Sequence, residues 1–510
     1  MILLLCQCIK AQHPNMVISV VNGPNEPSIA MDYKNPFRMM VGNNIDVYHA
    51  SEDGGLTWQT NTLHSSLGVW GDPCLVTDTL GNFYYFHLSN VRSRDWIDRI
   101  VCQRSSDMGV TWTDGSGIGY IPGKQQDKEW AVVNPINNEI YVTWTQFDDY
   151  GSNNPNDSST IRFSKSSDMG MTWSEPVRLS QTAGDCVDSD LTVEGAVPAV
   201  GPEGQIYVSW SGPAGIMFDR SIDGGVTWLE NDIPVDPQPG GWDIDIPGIS
   251  RSNGMPVTDC DRSNGPERGT IYINWSDTRN GMDDADIWFA KSTDGGNTWT
   301  EAKRVNDDGP GKQQFFTWMT VDQVTGKIWI IFYDRRNHPD IATDVYMAVS
   351  GDGGDTFVNF KVSEEPFIPN DFIFFGDYTN IAAVNDTVRP VWIRLHNNEL
   401  SLLTALVDPL VIGTESEDLN PLAEAQVVPN PFSSSTAFSF KIKEPSIVSL
   451  TVNDMTGHKV AEIIDRQMLT PGKYIKVLEA EGYKLKPGVY CFELVVDQKH
   501  TTRKVVCTSY

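Results

Sequence analysis

The sequence predicts an all-β protein assembled from small repeated sheets, and three observations predict it. An eight-residue phrase, Ser-x-Asp-x-Gly-x-Thr-(Trp/Phe), recurs six times, at Ser51–Trp58, Ser105–Trp112, Ser166–Trp173, Ser221–Trp228, Ser292–Trp299 and Ser350–Phe357. Self-similarity of this kind marks a repeat architecture, in which each unit buries its apolar face against its neighbours. Between the phrases run short, alternating, β-branched stretches that read as strands, such as Ile140–Trp144, Ile206–Trp210, Ile271–Trp275 and Ile328–Phe332. The 43 glycines and 16 tryptophans among 510 residues suit many short strands joined by tight turns.

The phrase itself reads as a hairpin turn. Ser and Asp side chains bond back to nearby backbone N–H groups, and Gly takes positive φ without steric cost. Thr starts the returning strand, and the aromatic ring is buried beneath the turn. The turn aspartates are Asp53, Asp107, Asp168, Asp223, Asp294 and Asp352. This phrase resembles the Asp box of sialidases and related β-propellers. The resemblance implies that the box braces the turn between the third and fourth strands of a blade, on the face away from the active site. It marks the fold rather than a site.

Taken in order, Met1–Gln12 is a short apolar run ending in Ala-Gln, the expected end of an export signal whose basic start is missing. It is too short to span a membrane. Cys6 lacks the small preceding residue that a lipid anchor requires, so no anchor is expected. Met16–Val21 is an orphan strand. Seven first strands follow, starting near Pro27, Pro73, Glu129, Gly195, Gly254, Thr317 and Asp377. The last unit contains Pro390–Arg394 and Leu400–Ala405 but neither a box nor a fourth strand. Pairing the orphan strand with it would close a ring and remove its edges. Seven blades over residues 15–407 are therefore expected, with six, one per box, as the alternative.

Residues 408–426 read as a polar acidic linker. Residues 427–510 read as a small β-sandwich with turns at Val428–Phe432, Asn453–Gly457 and Leu485–Tyr490 and a closing Arg503–Val506. This tail resembles the type A sorting domain of the type IX secretion system of Bacteroidota. The resemblance implies transport across the outer membrane, followed by release or surface attachment. A carbohydrate-binding sandwich is the alternative. Cys491 and Cys507 flank a hairpin centred near Lys499 and are expected to face each other, as a disulfide or as free thiols.

The formal net charge of −29 disfavours nucleic acid and anionic membranes as partners. No Cys/His spacing implies zinc, and no cofactor is expected. The acid pairs Asp188/Asp190 and Asp243/Asp245 and the run Asp283–Asp286 offer oxygen ligands for Ca2+, against a default of solvated loop acids.

In a propeller, ligands meet the face opposite the turns, where the first strands begin. Glu26, Asp72, Asp127, Glu129, Glu194 and Asp377 stand there, near Trp70, Trp130, Trp242, Trp318 and Phe375. Carboxylates beside aromatic platforms suit sugar hydroxyls and pyranose faces, while strand capping and packing between sheets are the structural alternative. Asp277-Thr-Arg279 and Asp334-Arg335-Arg336 repeat after second strands, either as Asp–Arg clasps or as arginines free to grip a carboxylate. Sialidase chemistry needs three arginines, a Tyr nucleophile assisted by Glu, and an Asp acid/base. By that resemblance Arg279, Arg335, Arg336 and Arg389 supply cations, Tyr378 the phenol, and Glu129 or Glu194 its base. The family's Arg-Ile-Pro signature is absent. The insert Asp148–Ser159 is the loop expected to be mobile or to cover a ligand.

Two functions follow as expectations. One is a secreted or surface-displayed propeller that engages glycans or glycoproteins and hydrolyses glycosides from their ends. The other is a non-catalytic propeller that binds protein or polysaccharide. Either would use the secretion machinery through its tail.

Overall fold

The structure is a computed structural model that describes residues 13–508 apart from 92–95, 408, 410–424, 429, 443–444, 455–457, 471 and 498. The export signal at 1–12, most of the linker, and Pro429 and Met455–Gly457 of the tail turns lie outside the described residues. The chain divides into two compact units, Met1–Thr414 and Glu415–Tyr510.

The first unit contains seven four-stranded antiparallel sheets and, among the described residues, no α-helix. Their innermost strands are Ser28–Met31, Cys74–Thr77, Gln125–Val133, Glu194–Val200, Val257–Cys260, Gln314–Val321 and Asn380–Val384. Each touches the next in that order, and Asn380–Val384 touches Ser28–Met31, so the sheets form a closed cycle. The fold is a β-propeller. Asn15–Ser19 supplies the outer strand of the seventh sheet by pairing with Glu399–Ala405, Asn15 opposite Ala405.

The second strands show why the sheets stack. Ile140–Phe147, Ile206–Ser211, Ile271–Asp277 and Ile328–Asp334 are buried at every position. Both faces of each sheet pack on neighbours, so alternation in these strands separates one buried face from another. Trp144, Trp210, Trp275, Trp329 and Trp392 are among the largest fully buried side chains.

The six turns share one hydrogen-bond pattern. In the third, Ser166 Oγ donates to Asp168 Oδ1 at 2.8 Å, and Thr172 N donates to the same oxygen at 2.9 Å. Thr172 Oγ1 donates to Asp168 Oδ2, and Gly170 N donates to Ser166 Oγ. The aromatic residue reaches back to the preceding sheet: Trp173 meets Phe86, Trp228 meets Phe163, Trp299 meets Phe218 and Phe357 meets Phe289, edge-on with centroids 4.9–5.7 Å apart. Gly296 shows why glycine stands there, since at φ +89° an added Cβ would lie 2.2 Å from the Phe218 ring. At the seam of the ring the contact runs the other way and is made by a cation: Arg389 Nε, from the seventh sheet, donates to the Gly54 carbonyl of the first turn at 2.8 Å.

The second unit packs a three-stranded sheet and a four-stranded sheet around Phe438, Leu450, Phe492 and Leu494. Phe438 and Phe492 stack across the two sheets at 5.0 Å. The cysteine expectation is corrected here. The turn at Asp497 sets Val496 opposite Lys499, which places Cys491 opposite Lys504 and Cys507 opposite Gly488. Both cysteines are free thiols.

Candidate functional site

In the six sheets that carry it, the turn phrase and the start of the first strand lie at opposite ends, because three antiparallel strands separate them. The strand starts therefore gather at one mouth of the ring. Their backbone is unusual: Glu26, Asp72, Lys128 and Phe316 have φ near +50° without being glycine. In the third, fourth and sixth sheets the first strand carries one extra residue, between Asp127 and Trp130, Glu194 and Val197, and Phe315 and Trp318. Such bulges re-aim side chains, and strained backbone of this kind concentrates at functional sites.

The bulge at Lys128 places a buried ammonium at the meeting of four sheets. Lys128 Nζ donates to Asp377 Oδ2 at 2.6 Å and to Asp72 Oδ2 at 3.3 Å, with Glu26 Oε1 at 4.0 Å. Arg251 grips Asp377 with two nitrogens, Nε at 2.9 Å from Oδ1 and Nη2 on Oδ2, while its Nη1 donates to Asp188 Oδ2 at 3.3 Å. Tyr150 Oη and Trp242 Nε1 donate to the Asp188 carboxylate at 2.9 and 3.3 Å. Asn253 Nδ2 donates to the Asp377 carbonyl, and Asn44 Nδ2 to the Glu26 carboxylate.

These contacts divide the acids into two classes. Burial opposes charge on Asp377, yet Lys128 and Arg251 hold it ionised, at about 2. Burial opposes charge on Lys128 as well, but Asp377, Asp72 and Glu26 outweigh it and keep the ammonium protonated. Asp127 is pushed up to about 7 by burial and by the neighbouring Asp72 and Asp188, against the pull of Lys128. Burial first, then neighbouring carboxylates, raises Glu26, Glu129 and Glu194 well above the usual range.

Below this layer three rings meet across the axis. Trp130 lies 4.2 Å from Trp318 and 5.0 Å from Tyr378, between centroids. The third sheet reaches the sixth and seventh only across the middle of the ring, so these residues plug the channel. This corrects the expectation that Trp130, Trp242 and Trp318 are open stacking platforms: they are 4%, 4% and 7% exposed. Phe375 is likewise buried, stacked on Phe367. The accessible rings at the mouth are Trp70, two residues before Asp72, and Phe374, which lies over the Arg251 guanidinium at 5.3 Å. They are joined by Tyr150, half-buried on the Asp148–Ser159 insert and seated on Asp188.

The arginine expectation is corrected too. Arg279 clasps Asp277 and Asp236 and lies 4.2 Å over the Trp288 ring. Arg336 clasps Asp334, reaches Asp307, and lies over Tyr346. Arg335 is buried, with Nη2 donating to the Pro247 carbonyl and Nε to Thr343 Oγ1. Arg389 closes the ring at the turn face. None of the four contacts the Lys128 cluster among the described residues. The recurring Asp–Arg signal is a structural clasp.

The structure thus brings Glu129, Glu194, Asp72, Asp377 and Tyr378 to one mouth. Burial and four neighbouring carboxylates hold the Tyr378 phenol protonated. Sequence reasoning missed Lys128 and Arg251. Lys128 had a signal, since it fills the same strand-start slot as Glu26 and Asp72. Arg251 had none, because it lies on the irregular approach to the fifth sheet. Asp188 was read only as a calcium candidate. Among the described residues no group of three or more His, Cys, Asp or Glu side chains is arranged to hold a metal ion.

No protein-family model matches the chain, and no curated protein matches it. Solved structures do. A protein of unknown function from Dyadobacter fermentans is 14% identical at a TM-score of 0.42, covering 63% of this chain and 93% of that one. The NanB sialidase of Streptococcus pneumoniae is 11% identical at 0.42, covering 66% and 67%. An alpha-L-arabinofuranosidase from Fusarium graminearum is 12% identical at 0.42, covering 70% and 99%. At these identities and scores no activity passes from those proteins to this chain.

Proposed function

We propose that the mouth of the propeller binds a glycan and hydrolyses a glycosidic bond with Asp127 as the proton donor and Asp188, held by Tyr150, Trp242 and Arg251, as the second carboxyl. One observation carries this reading. Asp127, held near neutrality, neighbours a carboxylate fixed by Tyr150, Trp242 and Arg251, at a rim that offers Trp70 and Phe374. A carboxyl poised near the working pH is suited to give and take a proton, and two carboxyls in opposed environments divide the acid and base roles. The exposed rings suit the apolar faces of pyranoses.

The finer reading, an exo-acting sialidase, has less support. Its tyrosine nucleophile would be Tyr378, whose phenol is buried among carboxylates, and its three arginines would be groups already clasped elsewhere. A substrate without negative charge fits the acidic mouth better. Burial of Asp127, 8% exposed, favours a second reading, glycan or protein binding without turnover.

Aryl glycosides and a glycan array, tested with the full chain, separate these. Turnover that falls at least about 100-fold in both Asp127→Asn and Asp188→Asn supports hydrolysis, as expected for loss of a general acid or base. Binding on the array without turnover supports the second reading. For Glu415–Tyr510 we propose export across the outer membrane, on the turn motifs at Pro431–Phe432 and Leu485–Tyr490. Deleting the unit should leave the propeller inside the cell by fractionation, and unchanged export would remove the proposal.

A further inference from the structure

Two carboxyls at the mouth lack a donor from another residue. Glu129 and Glu194 are 1% and 0% exposed; beyond its own backbone N–H for Glu129 and the shared contact of Glu194 with the Asp188 carboxyl, no group among the described residues hydrogen-bonds to their oxygens. The cations nearby are engaged elsewhere, Lys128 with Asp377 and Asp72, Arg251 with Asp377 and Asp188. Glu129 faces Asp72, Asp127 and Lys128; Glu194 faces Asp188, Asp127 and Lys128, with the Tyr150 phenol close to Glu194 and Asp127. Other buried polar atoms on this pair of strands are also unpaired: Thr145 Oγ1 and Gln146 Oε1, and the donors Gln126 Nε2 and Trp130 Nε1.

Buried polar groups are almost always hydrogen-bonded, and here unpaired oxygens outnumber the unpaired N–H donors beside them, so the group calls for a donor from outside the chain. A metal ion is a poor match, because no three acids converge as a ligand set among the described residues. An ammonium is a good one. It brings three N–H donors and a positive charge, and it can satisfy acceptors spread over a pocket wall.

We propose that the ligand received by Glu129 and Glu194 carries a primary ammonium group. In terms of the glycan reading on which this rests, the substrate class is an amino sugar with its amine free. The free site holds protons on these acids, because burial and the carboxylates around them disfavour their charge. An arriving ammonium favours the ionised carboxylates, so protons pass from the site to the buffer. Affinity therefore rises with pH until the ligand's own amine deprotonates.

Calorimetry on the full chain tests this with three probes: a chitosan tetramer, its fully N-acetylated counterpart, and n-propylammonium. Titration in two buffers of different ionisation enthalpy reads the proton count. The expected result is at least about tenfold tighter binding of chitosan than of the acetylated tetramer, with proton release. Glu129→Gln and Glu194→Gln should abolish that preference while leaving the thermal midpoint unchanged or higher, since an amide needs no counter-charge. Equal binding of the two tetramers, or binding without proton release, overturns the ammonium inference and leaves the glycan reading standing. Binding of n-propylammonium with proton release but of neither tetramer upholds the ammonium site and counts against the glycan reading. Binding of none of the three overturns the inference.

Discussion

The two ends of the propeller use the same residue types to opposite effect. At the turn end, each repeated aspartate is half-buried or exposed and holds two or three donors on one oxygen and a hydroxyl on the other. Asp168 is lowered to about 2, by the Thr172 hydroxyl first and its backbone N–H next. At the mouth the acids are buried and outnumber their donors, so Asp127 is pushed up to about 7 and Glu129 and Glu194 well above their usual range. A carboxylate supplied with local donors stabilises a fold. A carboxyl buried among its own kind costs stability and holds a proton, which is the arrangement of a site.

Removing the one ammonium that balances the mouth should have the largest effect. Lys128→Met leaves Asp377, Asp72 and Glu26 facing one another in a buried space, and urea denaturation should show a loss of about 3–5 kcal/mol. A loss under about 1 kcal/mol would mean that water reaches the cluster freely.

Asp127→Asn should act in the opposite sense. A raised pKa means that the native state binds a proton the unfolded state has released, so wild-type stability falls as pH rises from about 4 to about 7. The amide escapes that penalty. Denaturation should find the variant about 1–2 kcal/mol more stable at pH 8 and little changed at pH 4. A variant less stable at pH 8 would show that the Asp127 charge is compensated.

The smallest effect belongs to the turn end. Asp168→Ala removes the acceptor of four donors from a surface turn, with a cost of about 1 kcal/mol or less at pH 7. Because its folded pKa is depressed, the contribution is present above the ordinary carboxylate range and fades as pH falls towards 2. Thermal unfolding at pH 7 and pH 2.5 checks this, and an equal difference at both would break the contrast between the two ends.

The propeller was legible because its information is local. The turn phrase needs only its own eight residues to form, and the strands between announce themselves by alternation. Even so, the sequence did not reveal that the turns' aromatic residues dock on the preceding sheet, or that at the seam Arg389 of the seventh sheet reaches the first turn. The mouth was half legible. Glu129, Glu194, Asp72 and Asp377 stood at strand starts, where repeat geometry sends them to one end. Trp130 and Trp318 were misread because whether a ring near the axis faces solvent or plugs the channel depends on sheets three and six meeting there.

By itself, then, the sequence determined the sheets, their turns and the end of the ring at which acids gather, since all of these follow from patterns within a single repeat. Tertiary structure alone decided which acids are paired. That choice depends on Lys128 and Arg251 reaching residues far away in the chain, Asp377 above all. Partnering between side chains from different sheets leaves no periodic trace, and in a buried site it is partnering that sets charge.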